Sequence, residues 1–213
     1  MNGPMNGPMN GPMNIATVGS TAVTLDELNQ RELRLRQGAL AAALPAAGTS
    51  EGRQLRRWLT QLIVTERVIA AEASARGLTA EAAPTEHELL PDATARLELG
   101  SIAAAALADP LARALFARVT ETVDVSADEV ADYHARNPLR FAAPAARHPG
   151  WRARVSAPPL HLVRPAITDH LRAAARRRAF RVWLDARRAA LVRLAPGYEH
   201  PGDPRQPDNT HRH

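Results

Sequence analysis

The chain has no cysteine and no lysine among its 213 residues, and only 4% of it is aromatic. Without cysteine there is no disulfide, no thiolate nucleophile and no Cys-based zinc or iron–sulfur site. Without lysine there is no Schiff base, no pyridoxal-phosphate anchor and no P-loop. All 27 basic residues are arginine, a bias that GC-rich coding produces by itself, so their number carries little functional weight. No apolar run approaches the ~20 residues that a bilayer requires; the longest aliphatic stretch covers residues 102–108. The N-terminus has neither the basic nor the apolar segment of a signal peptide, so the sequence reads as cytoplasmic with no membrane partner. A Gly-x-Ser-x-Gly elbow is also missing, which leaves acyl transfer without support. No complete catalytic signature remains, and no cofactor is expected.

Hydrophobic residues make up 45% of the chain, enough for a core. With few rings, that core consists of Leu, Val, Ile and Ala, which favours helices packed closely. Residues 1–14 repeat Met-Asn-Gly-Pro and have nothing to bury, so a disordered arm is expected there, with Met13 as an alternative start. Residues 15–24 carry two β-branched runs around Gly19-Ser20, the mark of a small hairpin. Thr24 and Glu27 then form a capping-box pattern opening a helix to about Leu44, with Leu28, Leu35, Ala39 and Ala42 or Ala43 on its packed face. A second helix spans 51–76 and ends at Gly77; its stripe is Leu55, Trp58, Leu59, Leu62, Ile63, Ile69 and Ala73.

Thr85 caps a short turn, and helices are expected over 92–107 and 111–122. Ser126 and Glu129 form another capping box for a helix ending near Asn137. Residues 142–164 are Pro-rich and extended. Pro165 then sits at the first turn of a long helix, 165–191, whose expected buried stripe is Ile167, Leu171, Ala175, Ala179, Val182, Ala186 and Ala190. Residues 191–194 suit a closing strand, and 196–213 form a polar His/Pro tail. The fold class is therefore mainly α, with a small β element in which the N-terminal strand pairs with a C-terminal one.

Three stretches resemble the parvulin-type foldases of the SurA and PrsA kind. Residues 15–28 (IATVGSTAVTLDEL) are similar to the family's opening strand-turn-helix. Residues 53–73, followed by Arg76-Gly77, resemble its "LI.ERL…EA…G" helix, and 125–133 with Asn137 and Phe141 its "VT.EE…YY..N…F" helix. The resemblance implies a helical chaperone module over 15–141, closed by a helix and strand over 165–195. The family's prolyl-isomerase domain is missing between them. Four strands and two helices of average length need roughly 42 residues, whereas 142–163 supplies 22. The expected function is thus a non-enzymatic, chaperone-like binder of unfolded or extended polypeptide segments. The alternatives are a residual peptidyl-prolyl isomerase, or an accessory protein that holds a partner or metal through its arginine-rich helix or histidine tail.

Three candidate sites follow. Trp58, Leu62, Ile69, Tyr133 and Phe141 are the residues expected near a peptide-binding cleft, or else simply core. Residues 151–213 hold 13 Arg and 5 acids, a net charge of +8, against −3 for residues 1–150 with 14 Arg and 17 acids. That asymmetry makes Arg172, Arg176, Arg177 and Arg181 a candidate polyanion face. Aromatic interleaving is slight, though, and a solvated face is the plainer account, so nucleic acid is not an expected partner. In the tail, His200, His211 and His213 have usable spacing for Zn, Ni or Cu, with Asp203 or Asp208 to complete a set. Tyr133 and His134 beside Asp132 suggest a proton relay, against which packing is the simpler reading; His161 and His170 receive no role.

Overall fold

The β-branched runs on either side of Gly19 do form a hairpin. In the computed structural model, which describes residues 13–142 and 156–203, β1 (Asn14–Val18) and β2 (Thr21–Thr24) pair antiparallel. Gly19 turns the chain at φ +57°, a conformation that a residue without a Cβ adopts freely. The other edge of β1 pairs antiparallel with β3 (Val192–Leu194), giving the order β2-β1-β3. Ala195 N–H donates to the Ile15 carbonyl at 2.9 Å and Gly19 N–H to the Leu191 carbonyl at 2.8 Å. The N-terminal strand is thereby joined to the C-terminal one inside a mainly helical protein.

Thr24 caps α1 (Leu25–Arg36) by accepting from Glu27 N–H at 3.2 Å. Only half of the expected box forms, because the Glu27 carboxylate instead takes Arg67 at 2.6 Å. The helix stops eight residues short of Leu44, and a single 3-10 turn, Ala41–Ala43, follows. Ala39, Ala42 and Ala43 are exposed rather than packed. Helical propensity without an apolar face to bury does not sustain a helix here.

The centre of the fold is α2 (Ser50–Ala75), in which residues 59–65 are all buried. Its polar positions satisfy themselves: Thr60 and Thr65 hydroxyls donate to the Arg56 and Gln61 carbonyls at 3.0 and 2.7 Å. Gly52 is needed in its first turn, since a Cβ there would lie 2.3 Å from the Ala46 carbonyl oxygen. Around α2 pack α1, β1, α5 (Ser101–Ala106), α6 (Pro110–Val119) and α8 (Leu160–Leu191).

The short α3 (Glu86–Leu89) and α7 (Ala127–Arg136) both open on reciprocal capping boxes, Thr85 with Glu88 and Ser126 with Glu129. The single helix expected over 92–107 is two, α4 (Ala93–Leu99) and α5, broken at Gly100, whose φ is +90°. Likewise α6 ends at Val119 rather than Thr122.

The last helix differs most from expectation. It begins at Leu160, so Pro165 lies inside it. In the second turn the missing N–H forfeits one hydrogen bond, to the His161 carbonyl, and the helix tolerates that. Its buried residues are Val163, Ile167, Ala174, Arg177, Phe180 and Leu184. Beyond Leu171 the expected stripe is therefore wrong, and Val182 is 65% exposed. Phe180 decides the face, while the alanines at 175, 179, 186 and 190 fit either side.

Two apolar clusters result. The main one joins the sheet, α1, α2, α4, α5, α6 and the second half of α8. The smaller one, Val130, Val163 and Ile167 with Val125, Tyr133, Phe141, Leu160 and Leu171 around them, lies between α7 and the first half of α8. The repeat over 1–12, most of the Pro-rich connection (143–155) and the end of the tail (204–213) lie outside the described residues. No helix is long and apolar enough to cross a membrane among the described residues.

Candidate functional site

The five apolar candidates fall in two places. Leu62 and Ile69 are interior to the main cluster, and Trp58 is half-buried at its edge, where its indole N–H donates to Ser101 Oγ at 3.3 Å. Tyr133 and Phe141 belong to the smaller cluster. One cleft lined by all five is not present among the described residues. What α7 and α8 build instead is a ring trio: Tyr133, Phe141 and His170, with centroids 6.4, 5.5 and 6.0 Å apart.

Burial, with the Arg140 charge behind it, holds the His170 imidazole below its usual pKa, against the pull of Glu98. His134 has its own task, Nε2 donating to the Pro158 carbonyl at 2.9 Å, which ties α7 to the segment leading into α8. That is a positioning contact and not a relay. Leu139, two residues before Phe141, and Leu162, in the first turn of α8, are 52% and 67% exposed. The segment after α7 and the start of α8 thus show water two large apolar side chains, on elements whose rings are half-buried.

The candidate polyanion face is largely occupied. Arg172 donates to Asp124 at 2.9 Å and to Asp169 at 3.2 Å. Arg176 caps the end of α6, donating to Thr120 Oγ1 and to the Thr120 and Ala117 carbonyls at 3.0, 3.2 and 3.4 Å. Arg177 is buried, with Glu98 and the Leu89 carbonyl as acceptors, and Arg181 reaches the Glu98 carbonyl at 3.3 Å. These guanidiniums bind α8 to α4 and α6. Reading them as a solvent face overlooked that arginine, with a long stem and five donors, closes helix ends well.

His200 is the one tail histidine among the described residues; His211 and His213 lie outside them. Among the described residues no group of three or more His, Asp or Glu could hold a metal ion. His200 instead faces a cavity of about 270 Å³, lined also by Leu99, Ser101, Ile102, Arg181, Leu184, Asp185 and Arg188. The chain after β3 is led there across α2 by two polar side chains. Arg57 Nε donates to the Gly197 carbonyl at 3.2 Å and Gln61 Nε2 to the Tyr198 carbonyl at 2.8 Å.

Residues 14–51, the hairpin through the start of α2, match a family of unknown function, DUF7158. No curated protein and no solved structure matches the chain. Sequence reasoning missed His170, whose ring partners Tyr133 and Phe141 lie far from it along the chain, and the cavity at His200. Neither leaves a local spacing signal.

Proposed function

We propose that the protein is a non-enzymatic, chaperone-like binder of extended apolar polypeptide segments. The observation that carries this reading is the α7–α8 surface, where Tyr133, Phe141 and His170 are only partly covered and Leu139 and Leu162 are exposed. Apolar side chains of a client would pack on such rings with few polar demands. Two further features support the reading. An opening strand-turn-helix closed by a final helix and strand is the layout that resemblance to the SurA and PrsA chaperone module implies. Between Phe141 and Leu160 there are 18 residues (142–159), against the roughly 42 that an isomerase domain of average elements needs.

The test is light scattering of a chemically denatured client diluted into buffer with and without the protein. The wild type should slow aggregation. The double variant Leu139→Asp/Leu162→Asp, both changes at exposed positions, should melt like the wild type and lose most of that effect. Equal protection by the two proteins, or none by the wild type, rejects the reading.

A further inference from the structure

The arginines of α8 are not treated alike. Arg172, Arg177 and Arg187 each meet a carboxylate: Asp124 at 2.9 Å, Glu98 at 2.7 Å and Glu72 at 2.7 Å from Nε. Arg188 does not. Its hydrogen-bond acceptor is the neutral amide oxygen of Gln61, and it makes no ion pair among the described residues. Yet burial bears on it enough to lower its pKa, with Asp185 opposing. The guanidinium is thus desolvated, hydrogen-bonded to a neutral amide and balanced only at a distance by Asp185, so an anion placed against it would offset the cost of its burial.

The cavity beside it has the donors to do so. Arg181 and Arg188 line it, with Asp185 as the single acid, leaving one net positive charge. His200 Nδ1 accepts from Gly202 N–H at 3.0 Å, so the neutral imidazole carries its proton on Nε2 and keeps that N–H as a donor. Ser101 Oγ already accepts from the Trp58 indole, and its own proton has no acceptor among the described residues. The rest of the lining is mostly apolar: Leu99, Ile102, Ala103 and Leu184, all buried. The volume, about 270 Å³, lies just below the ~300 Å³ at which pockets begin to take drug-sized ligands. It fits one small group with a charged end and a branched aliphatic body.

We propose that this cavity is a binding site for a carboxylate on a short aliphatic group, with Arg181, Arg188, Ser101 and His200 holding the carboxylate and Leu99, Ile102 and Leu184 its body. Two sources share that chemistry, a free branched-chain acid and the C-terminal residue of a polypeptide. The site is apart from the α7–α8 surface and stands whether or not that surface binds clients.

The test follows the Trp58 indole N–H by NMR, since its acceptor, Ser101 Oγ, lies in the cavity wall; Trp58→Phe identifies the resonance. Full-length protein is titrated with isovalerate, isovaleramide, inorganic phosphate, and a short peptide ending in leucine as free acid or amide. Isovalerate should shift the signal saturably below about 10 mM, with isovaleramide and phosphate at least tenfold weaker. The free-acid peptide binding more tightly than isovalerate assigns the polypeptide source, and the reverse order assigns the free acid. Arg181→Ala, at an exposed position, should weaken isovalerate about tenfold, the worth of one charge-assisted hydrogen bond. No saturation with either carboxylate, equal binding of the amides, or phosphate binding as tightly as isovalerate would overturn the proposal.

Discussion

Arg177 on α8 donates from Nε to Glu98 on α4 at 2.7 Å and from Nη1 to the Leu89 carbonyl at 3.3 Å, with its side chain only 7% exposed. The pair fixes the last helix against α4 and the end of α3. Removing Arg177 takes the donor from the Glu98 carboxylate and from the Leu89 carbonyl and empties the space its buried stem fills, at a cost of about 3 kcal/mol. Arg177→Ala should lower the urea midpoint accordingly. Glu98→Gln should lower it less, because an amide oxygen at 98 still accepts from the buried guanidinium, whereas alanine at 177 removes both of its hydrogen bonds. Equal midpoints for Arg177→Ala and wild type would mean that α8 is held by Phe180 and Leu184 alone.

The junction of the two chain ends is tested at Ile15, which is wholly buried in the middle strand. Its side chain belongs to the main cluster, and its carbonyl accepts from Ala195 N–H. Ile15→Ala leaves a cavity that the sheet cannot close, for a loss of about 3 kcal/mol. Thr17→Ala, at the half-buried position of the same strand, should change stability by less than about 0.5 kcal/mol. Paired thermal or urea melts separate the two; similar losses would show that strand pairing, and not core filling, sets the contribution of β1.

The elements that the sequence disclosed were those with local signals. Gly19 between β-branched runs, the Thr85 and Ser126 boxes, and the long stripe of α2 are each written within a few residues of one another. The pairing of β1 with β3 was also legible, because a two-stranded hairpin is marginal alone and residues 191–194 offered the missing edge. What stayed hidden depended on distant partners. Alanine fits any face, so the stripe of α8 was fixed by Phe180 meeting Phe116 at 5.0 Å and by Arg177 meeting Glu98. Polarity alone turned Arg177 outward in the sequence reading, and the structure turned it in. The five residues expected at one cleft are split: Tyr133 and Phe141 join the smaller cluster, while Trp58, Leu62 and Ile69 belong to the main one. The cavity at His200 draws on α4, α5, α8 and the chain after β3, four places that no spacing rule connects.

Acid should weaken the fold through Glu72. Burial would raise this carboxyl, but hydrogen bonds from Arg76 at 2.5 Å and from Arg187, with their charges, outweigh it and hold the group below the ordinary glutamate value of 4.5. Glu32 is held down in the same way between Arg36 and Arg56, again against burial. A carboxyl depressed in the folded state contributes stability that is present above its unfolded value and lost as pH falls through the folded one. Stability measured by urea titration should therefore drop below about pH 4.5. In Glu72→Gln the drop should be shallower, from a lower starting stability. An acid limb as steep as that of the wild type would assign the effect to other carboxylates.

A second pH effect belongs to His170 and lies in a window where carboxylates titrate little. Burial lowers its pKa first and the Arg140 charge second; Arg177 adds to this, and Glu98 and Asp92 oppose it. The folded state thus holds a neutral imidazole against Tyr133 and Phe141, while the unfolded chain takes a proton near pH 6.5. A histidine depressed in this way contributes stability above the unfolded value, and that contribution is lost as pH falls through the folded one. Between pH 7 and 5 the wild type should lose stability that His170→Phe, which keeps a ring in the trio, retains. The difference between the two urea curves removes the common contributions of the other histidines. An NMR titration of the His170 ring gives the same quantity directly, as a midpoint below 6.5. A midpoint at or above 6.5, or parallel stability curves for the two proteins, would place the imidazole in water and the trio open.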